Sequence, residues 1–186
     1  MNEERHPMIC PAELSGTLDN SLRRLFQNPA RILKPFIREG MTVLDLGCGP
    51  GFFTIEIARI VSDSGRVIAA DLQPKMLDKV ATKIGGTEFE KRISLHQCGD
   101  NTIGVEGKVD FVLAFWMVHE VPDPEKMFDE LYSIVKPGGT VYIIEPIFHV
   151  TKDAFAKMVQ ISLDSGFTVT ERPKIIASRA IILKKN

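Results

Sequence analysis

From residue 42 onward the chain alternates short apolar runs with stretches of helical period. The first run, Thr42-Val43-Leu44-Asp45-Leu46, is apolar apart from Thr42 and Asp45, the character of a central strand covered on both faces. Residues 66–72 (RVIAADL), 93–97, 109–115 (VDFVLAF) and 140–145 are further strand candidates. Between these runs the apolar residues can form one face of a helix. Phe52, Phe53, Ile55, Ile57 and Ala58 mark a helix over 52–61, and Met76, Leu77, Val80, Ala81 and Ile84 one over 74–84. Met127, Phe128, Leu131, Ile134 and Val135 mark a third after Pro124. Proline can open a helix, as at Pro74 and Pro124. Glycine suits its end, as at Gly65, at Gly85-Gly86 and in Lys136-Pro137-Gly138-Gly139. The tail predicts a helix over 151–165 and strands over 167–171 and 175–183.

Strands alternating with helices predict an α/β fold, doubly wound, with a mostly parallel sheet of seven strands. The last two strands are separated by Arg172-Pro173-Lys174 alone, too short for a parallel crossover, so that pair is expected to be antiparallel. Ahead of the first strand, residues 1–17 read as irregular. Residues 18–38 read as one or two amphipathic helices with a break at Asn28-Pro29 and a stop at Gly40. The whole, 1–186, reads as one domain: an N-terminal segment (1–39) and a core (40–186).

The chemistry starts where the first strand ends. Gly47, Gly49 and Gly51 stand at alternate positions between strand and helix, where backbone can approach a ligand with no Cβ in the way. The dinucleotide fingerprint needs its third glycine at the sixth place, which here is Phe52. That spacing excludes a nicotinamide dehydrogenase. With Asp45 ahead, the string is D-x-G-x-G-x-G, and it resembles motif I of the class I S-adenosylmethionine-dependent methyltransferases, with a methyltransferase type 11-like core. The resemblance covers about residues 33–184 and implies a Rossmann-like sheet with an antiparallel last strand. S-adenosylmethionine would be the methyl donor, and the N-terminal segment would form a helical lid over the cofactor that helps shape the substrate pocket.

The resemblance also assigns roles to residues just after each strand. Gly47, Gly49 and Gly51 would receive the methionine part of the cofactor, and Asp45 would orient that loop or reach the amino group through water. Asp71, ending the second strand, would accept hydrogen bonds from both ribose hydroxyls, a use of this position common to nucleotide-binding α/β folds. Capping the following helix is the other use of an aspartate there. Leu72 and Met76 would pack on the adenine. Asp100 and Asn101 match an acidic residue that accepts from the adenine amino group and a backbone N–H that donates to the ring; a plain polar turn is the competing reading. Phe115, closing the fourth strand, belongs with the cofactor-binding set.

In the family, the loop after the fourth strand lies where the methyl group meets the acceptor. Here it reads Trp116-Met117-Val118-His119-Glu120, without the Asn/Asp-Pro-Pro-Tyr/Phe string of enzymes that methylate planar amide or adenine nitrogens. His119 is the candidate general base, with a reference pKa near ~6.5. Glu120 would orient it or serve in its place, and His149 is a second candidate. A histidine satisfied by local hydrogen bonds is the alternative for both.

Charge and composition narrow the partners. The chain has 186 residues, 23 lysines and arginines against 24 aspartates and glutamates, and a net charge of −1. That balance gives no general electrostatic reason to bind nucleic acid or an anionic membrane. No stretch approaches the ~20 apolar residues of a membrane helix, and the N-terminus lacks the apolar run of a signal peptide. Three cysteines without framework or zinc spacing suit a reduced, cytoplasmic compartment and no metal site. The cysteine pattern of arsenite methyltransferases is missing. The expected activity is therefore methyl transfer to a small-molecule acceptor. A methyltransferase acting on tRNA or protein, and a non-catalytic S-adenosylmethionine-binding module, are the alternatives.

Overall fold

In the computed structural model, residues 27–186 are described. The elements in chain order are α1 (Pro29–Leu33), β1 (Thr42–Leu46), α2 (Thr54–Val61), β2 (Arg66–Asp71), α3 (Pro74–Ile84), β3 (Ile93–Gln97), β4 (Val109–Phe115), α4 (Pro124–Ile134), β5 (Val135–Pro146), α5 (Lys152–Asp164), β6 (Thr168–Glu171) and β7 (Ser178–Lys184). The seven strands form one sheet in the order β3-β2-β1-β4-β5-β7-β6. β3, β2, β1, β4 and β5 pair in parallel, while β7 runs antiparallel to both β5 and β6. Strand order reverses between β1 and β4, which opens a crevice at the carboxyl ends of the central strands.

Alternation along each strand feeds two apolar layers. On one face, Val43, Phe111 and Tyr142 pack with Ile57 and Val61 of α2 and Val80 of α3. On the other, Leu44, Val112 and Ile143 pack with Phe128 and Leu131 of α4 and Phe155 of α5. Phe128 and Leu131 are wholly enclosed; burying such a side chain contributes ~1.5–3 kcal/mol. Both faces being covered is why the central strands carry almost no polar residue.

Several element boundaries differ from the sequence expectation, each for a local reason. The segment Lys136-Pro137-Gly138-Gly139 does not end a helix; it lies inside β5. Val135, expected on the helix, already pairs with Val109, and the register shifts between Val109 and Phe111. Gly138 sits at φ +77, and a Cβ on Gly139 would come within 3.0 Å of the Asp110 carbonyl, so the glycines make an irregularity in the strand. α2 begins at Thr54 because residues 51–53 complete the turn, with Phe52 and Phe53 turned into the core. Ala177 at φ +55 delays β7 to Ser178, so the connector spans 172–177 and is longer than three residues, and the pair is antiparallel nonetheless. Thr151 is the N-cap of α5, its side chain accepting from Ala154 N at 3.2 Å.

The helix expected from 18 to 38 appears among the described residues only as the five-residue α1. Pro29 takes its first turn and the Asn28 side chain accepts from Arg31 N at 3.2 Å. Residues 1–26, including most of the proposed lid, lie outside the described residues. Among those described, no helix is long and apolar enough to cross a membrane.

Candidate active site

The carboxyl ends of β1 to β5 border a cavity of about 900 Å³. At its floor the β1–α2 turn is pinned to β2, since the backbone N–H groups of Gly47 and Cys48 donate to the Ala70 carbonyl at 2.8 and 3.0 Å. Gly47, Gly49 and Gly51 all have positive φ, at +68, +53 and +86, a region open chiefly to glycine. Their surroundings differ. A Cβ on Gly47 would lie 2.8 Å from the Met117 side chain, whereas one on Gly49 would meet nothing within 4 Å. Gly49 borders the cavity; Gly51 does not, and faces Val80 of α3 instead.

Two buried carboxylates bracket this turn. Asp45 accepts from Thr54 Oγ1 at 2.6 Å, and burial pushes its pKa up to about 7, against the opposing effect of the Thr54 bond and with help from nearby Asp71. Asp71 accepts from Gly49 N and Gln73 N, each at 2.9 Å, so one side chain ties the glycine turn to the start of α3. Burial raises its pKa as well, opposed by these backbone donors. Gln73, not Asp71, is the N-cap of α3, and it makes no side-chain capping bond; Asp71 accepts from that residue's own N–H while bordering the cavity. Leu72, Met76, Asp100, Asn101 and Phe115 also border the cavity, with Met76 almost fully enclosed.

At the far end the walls are rings. Centroids step from Phe52 to Phe53 (5.1 Å), Phe115 (4.4 Å), Trp116 (5.3 Å), Phe148 (5.4 Å), His149 (5.0 Å) and His119 (5.6 Å), and all seven side chains border the cavity. Trp116 is held at φ +58, a costly conformation for a bulky residue. Its amide donates to the Ile144 carbonyl at 2.7 Å and its indole N–H to Ser178 Oγ at 3.1 Å, which fixes it there.

His119 lies in a short 3-10 turn, Val118–Glu120, between β4 and α4. Its Nδ1 is 2.5 Å from Oε2 of Glu145, while Glu120 Oε1 stands 4.0 Å from its Nε2. Glu145 is wholly buried in β5, and its Oε1 accepts from Val118 N at 3.0 Å. The His119 pKa is raised, chiefly by the hydrogen bond to Glu145, against the lowering effect of burial. The sequence reading paired His119 with its neighbour Glu120; the hydrogen-bonded partner is Glu145, 26 positions later. The only signal for it was one acidic residue in the apolar run Tyr142-Ile143-Ile144-Glu145. Cys48 and Cys98 border the cavity too, but burial pushes the Cys98 thiol up to about 11 and Cys48 higher still, so both remain thiols.

The donor set suits S-adenosylmethionine. Gly49 leaves open space where any other residue would place a Cβ, and buried Asp45 and Asp71 suit a ligand with a cationic amino group and ribose hydroxyls. A family model described as a methyltransferase domain matches residues 43–139. The chain belongs to that family, and its fold is that of the class I S-adenosylmethionine-dependent methyltransferases. It is 25% identical, with a TM-score of 0.84, to a S-adenosylmethionine-dependent methyltransferase from Aquifex aeolicus, over 94% of this chain and 98% of that one. It is 38% identical over 111 residues to a demethylmenaquinone methyltransferase of Lactobacillus johnsonii, and 32% identical over 109 residues to an arsenite methyltransferase of Halobacterium salinarum. Those matches take in 59% and 58% of this chain but 45% and 28% of the relatives, so the chain spans less than half the length of either.

Proposed function

We propose that the protein transfers a methyl group from S-adenosylmethionine to a small-molecule acceptor with a planar, hydroxylated ring of the quinol type. The observation that carries this reading is the single cavity that joins the glycine turn to a wall of rings ending in His119. Bound there, the donor supplies a methyl group on a positively charged sulfur, already strongly electrophilic. The chain's part is to orient and to exclude water, which can be worth ~7–11 kcal/mol of the barrier. Gly47 and Gly49 would receive the amino-acid end, near Asp45. Asp71 would take the ribose, Leu72 and Met76 the adenine faces, and Asp100 with Asn101 the adenine edge. Phe115 would separate the two ligands.

The ring wall favours a flat acceptor through offset and edge-to-face contacts. The name of the L. johnsonii relative supports a quinone-type ring. The arsenite relative raises a second reading, which the protonated state of Cys48 and Cys98 disfavours, since arsenite binds thiolates. A near-neutral net charge likewise favours a small acceptor over nucleic acid. The test is release of S-adenosylhomocysteine from purified protein offered quinols and phenols, arsenite, small thiols and bulk tRNA in parallel. Turnover with a ring acceptor is expected. Turnover confined to arsenite or tRNA, or none with any acceptor despite donor binding, would overturn the reading.

A further inference from the structure

We infer that Glu145 is the positioning residue of the acceptor end: its buried carboxylate holds the Nδ1 proton of His119, so that Nε2 is the atom that accepts a proton from the acceptor's hydroxyl. This rests on the methyl-transfer reading above. An ionised carboxylate can only accept. Oε2 stands 2.5 Å from Nδ1, so under this proposal the bond carries the imidazole's Nδ1 proton and the neutral ring keeps its lone pair on Nε2. Glu145 itself cannot swing away. It has no exposed surface, and its other oxygen is held by Val118 N, one residue before His119. A single buried side chain therefore fixes both the backbone of the 3-10 turn and the ring it carries.

Three titratable or charged neighbours among the described residues fit that assignment. Glu120 Oε1 stands 4.0 Å from Nε2, outside hydrogen-bond range of that nitrogen. The His149 ring lies parallel to His119, at 13° and 5.6 Å, covering one face. Arg179, opposite Glu145 in the β5–β7 register, turns its guanidinium to the Val150 carbonyl at 2.6 Å. In the reaction the acceptor's O–H bond breaks, its proton goes to Nε2, and its electron pair stays with the acceptor. That pair, on oxygen or delocalised onto a ring carbon, forms the bond to the methyl carbon as the carbon–sulfur bond breaks with its pair going to sulfur. Where carbon is methylated, its hydrogen moves to the oxygen as the ring regains aromaticity. His119 then gives its proton to solvent, so each turnover yields one proton.

The experiment follows His119 in the protein without acceptor by nitrogen-edited NMR of the imidazole, in the wild type and in Glu145→Gln. The wild type should show the Nδ1–H tautomer and titrate above the ordinary value of ~6.5. In Glu145→Gln the charge is gone and the amide N–H can donate to Nδ1. The titration should move down in pH and the Nε2–H tautomer should grow. With a ring acceptor, turnover in that variant should fall on the order of 10²-fold or more, the usual worth of a general base. Its pH profile should shift with the NMR titration, and donor affinity should stay within about twofold. Glu145→Asp, which keeps the charge, should retain part of the raised titration. A wild-type His119 in the Nε2–H tautomer would overturn the proposal, and needs no folded variant. So would an unchanged His119 titration in Glu145→Gln, whatever its melting temperature. Failure of the wild type to turn over any ring acceptor would instead sink the methyl-transfer reading, while the NMR result would stand by itself.

Discussion

The two ends of the cavity are built by different means. At the proposed donor end the parts come from backbone: three glycines at positive φ, amides pinned to Ala70, and a carboxylate whose two oxygens are both held by main-chain N–H groups. At the acceptor end they come from side chains on separate elements: Phe53 near α2, Trp116 after β4, Glu145 at the end of β5, and Ser178 at the start of β7. A backbone site tolerates little change in the residues that form it but leaves their neighbours free. A side-chain site can be altered one group at a time while the fold stays, which is how one fold serves many acceptors.

That contrast is most open to attack at the glycines. Gly47→Val adds a branched side chain at φ +68 where Met117 lies 2.8 Å from the new Cβ. Backbone strain and overpacking together should cost on the order of 2–5 kcal/mol of folding stability, visible as a lowered urea midpoint. Gly49→Ala meets no atom within 4 Å. It should lose only ~1–2 kcal/mol of stability through its backbone conformation, yet weaken S-adenosylhomocysteine binding by calorimetry more than tenfold. Unchanged S-adenosylhomocysteine affinity in Gly49→Ala would mean that Gly49 does not face the ligand.

Next in size is the acceptor end. His119→Ala should lower turnover by ~10²–10⁴ while donor affinity stays within about twofold. Because Glu145 raises the His119 pKa, the basic form gains population only as pH climbs past the ordinary histidine value. Wild-type turnover should therefore rise with pH through neutrality, and the variant should lose that rise. A large fall in melting temperature with turnover intact would make His119 structural.

At the donor end, Asp71→Asn keeps one acceptor oxygen but loses the charge that faces two backbone donors. It should weaken donor binding by ~1.5–3 kcal/mol, with some stability lost as well because the same carboxylate holds both Gly49 N and Gln73 N. Asp45 gives the pH signature of this end. Burial pushes its pKa up to about 7 in the fold, from the ordinary 3.8. The stability it contributes is fully present below pH 3.8 and is lost as pH rises through about 7. Urea midpoints of the wild type should fall over that window relative to Asp45→Asn, which keeps an acceptor for Thr54 and does not titrate. Parallel pH curves for the two proteins would place the raised pKa elsewhere.

The same contrast explains what could be read from the residues alone. The donor end is local: Asp45 to Gly51 is one string, and Asp71 is the last residue of the next strand, so spacing was enough to find them. Glu145 and His119 meet only because β4 and β5 are parallel neighbours, a pairing that no short string encodes. Adjacency in sequence pointed to Glu120 instead. Gly51 is a motif position that faces Val80 of α3 and does not border the cavity. In the fold, apolar period gave the strands and helices, but Lys136-Pro137-Gly138-Gly139 has the composition of a stop signal. Only the pairing of Lys185 with Gly138 and Gly139, and of Val109 with Val135 just before them, shows that it continues a strand.

The smallest expected effect, and the sharpest on the ring wall, comes from His149. It is exposed, it follows β5, and it touches the reacting region only through ring faces: stacked on His119 at 5.6 Å and edge-on to Phe148 at 5.0 Å. Aromatic pairs of this kind are worth ~0.5–1.5 kcal/mol beyond their burial. His149→Ala should therefore raise KM for a ring acceptor by about twofold to tenfold and leave donor affinity unchanged. His149→Phe keeps a ring of similar size without a titrating nitrogen, so it should restore most of that KM. If His149 were itself the base, His149→Phe would be as inactive as His149→Ala, and His119→Ala would keep its pH dependence. Measuring KM and kcat against pH for the three variants assigns the proton to one ring and the packing to the other.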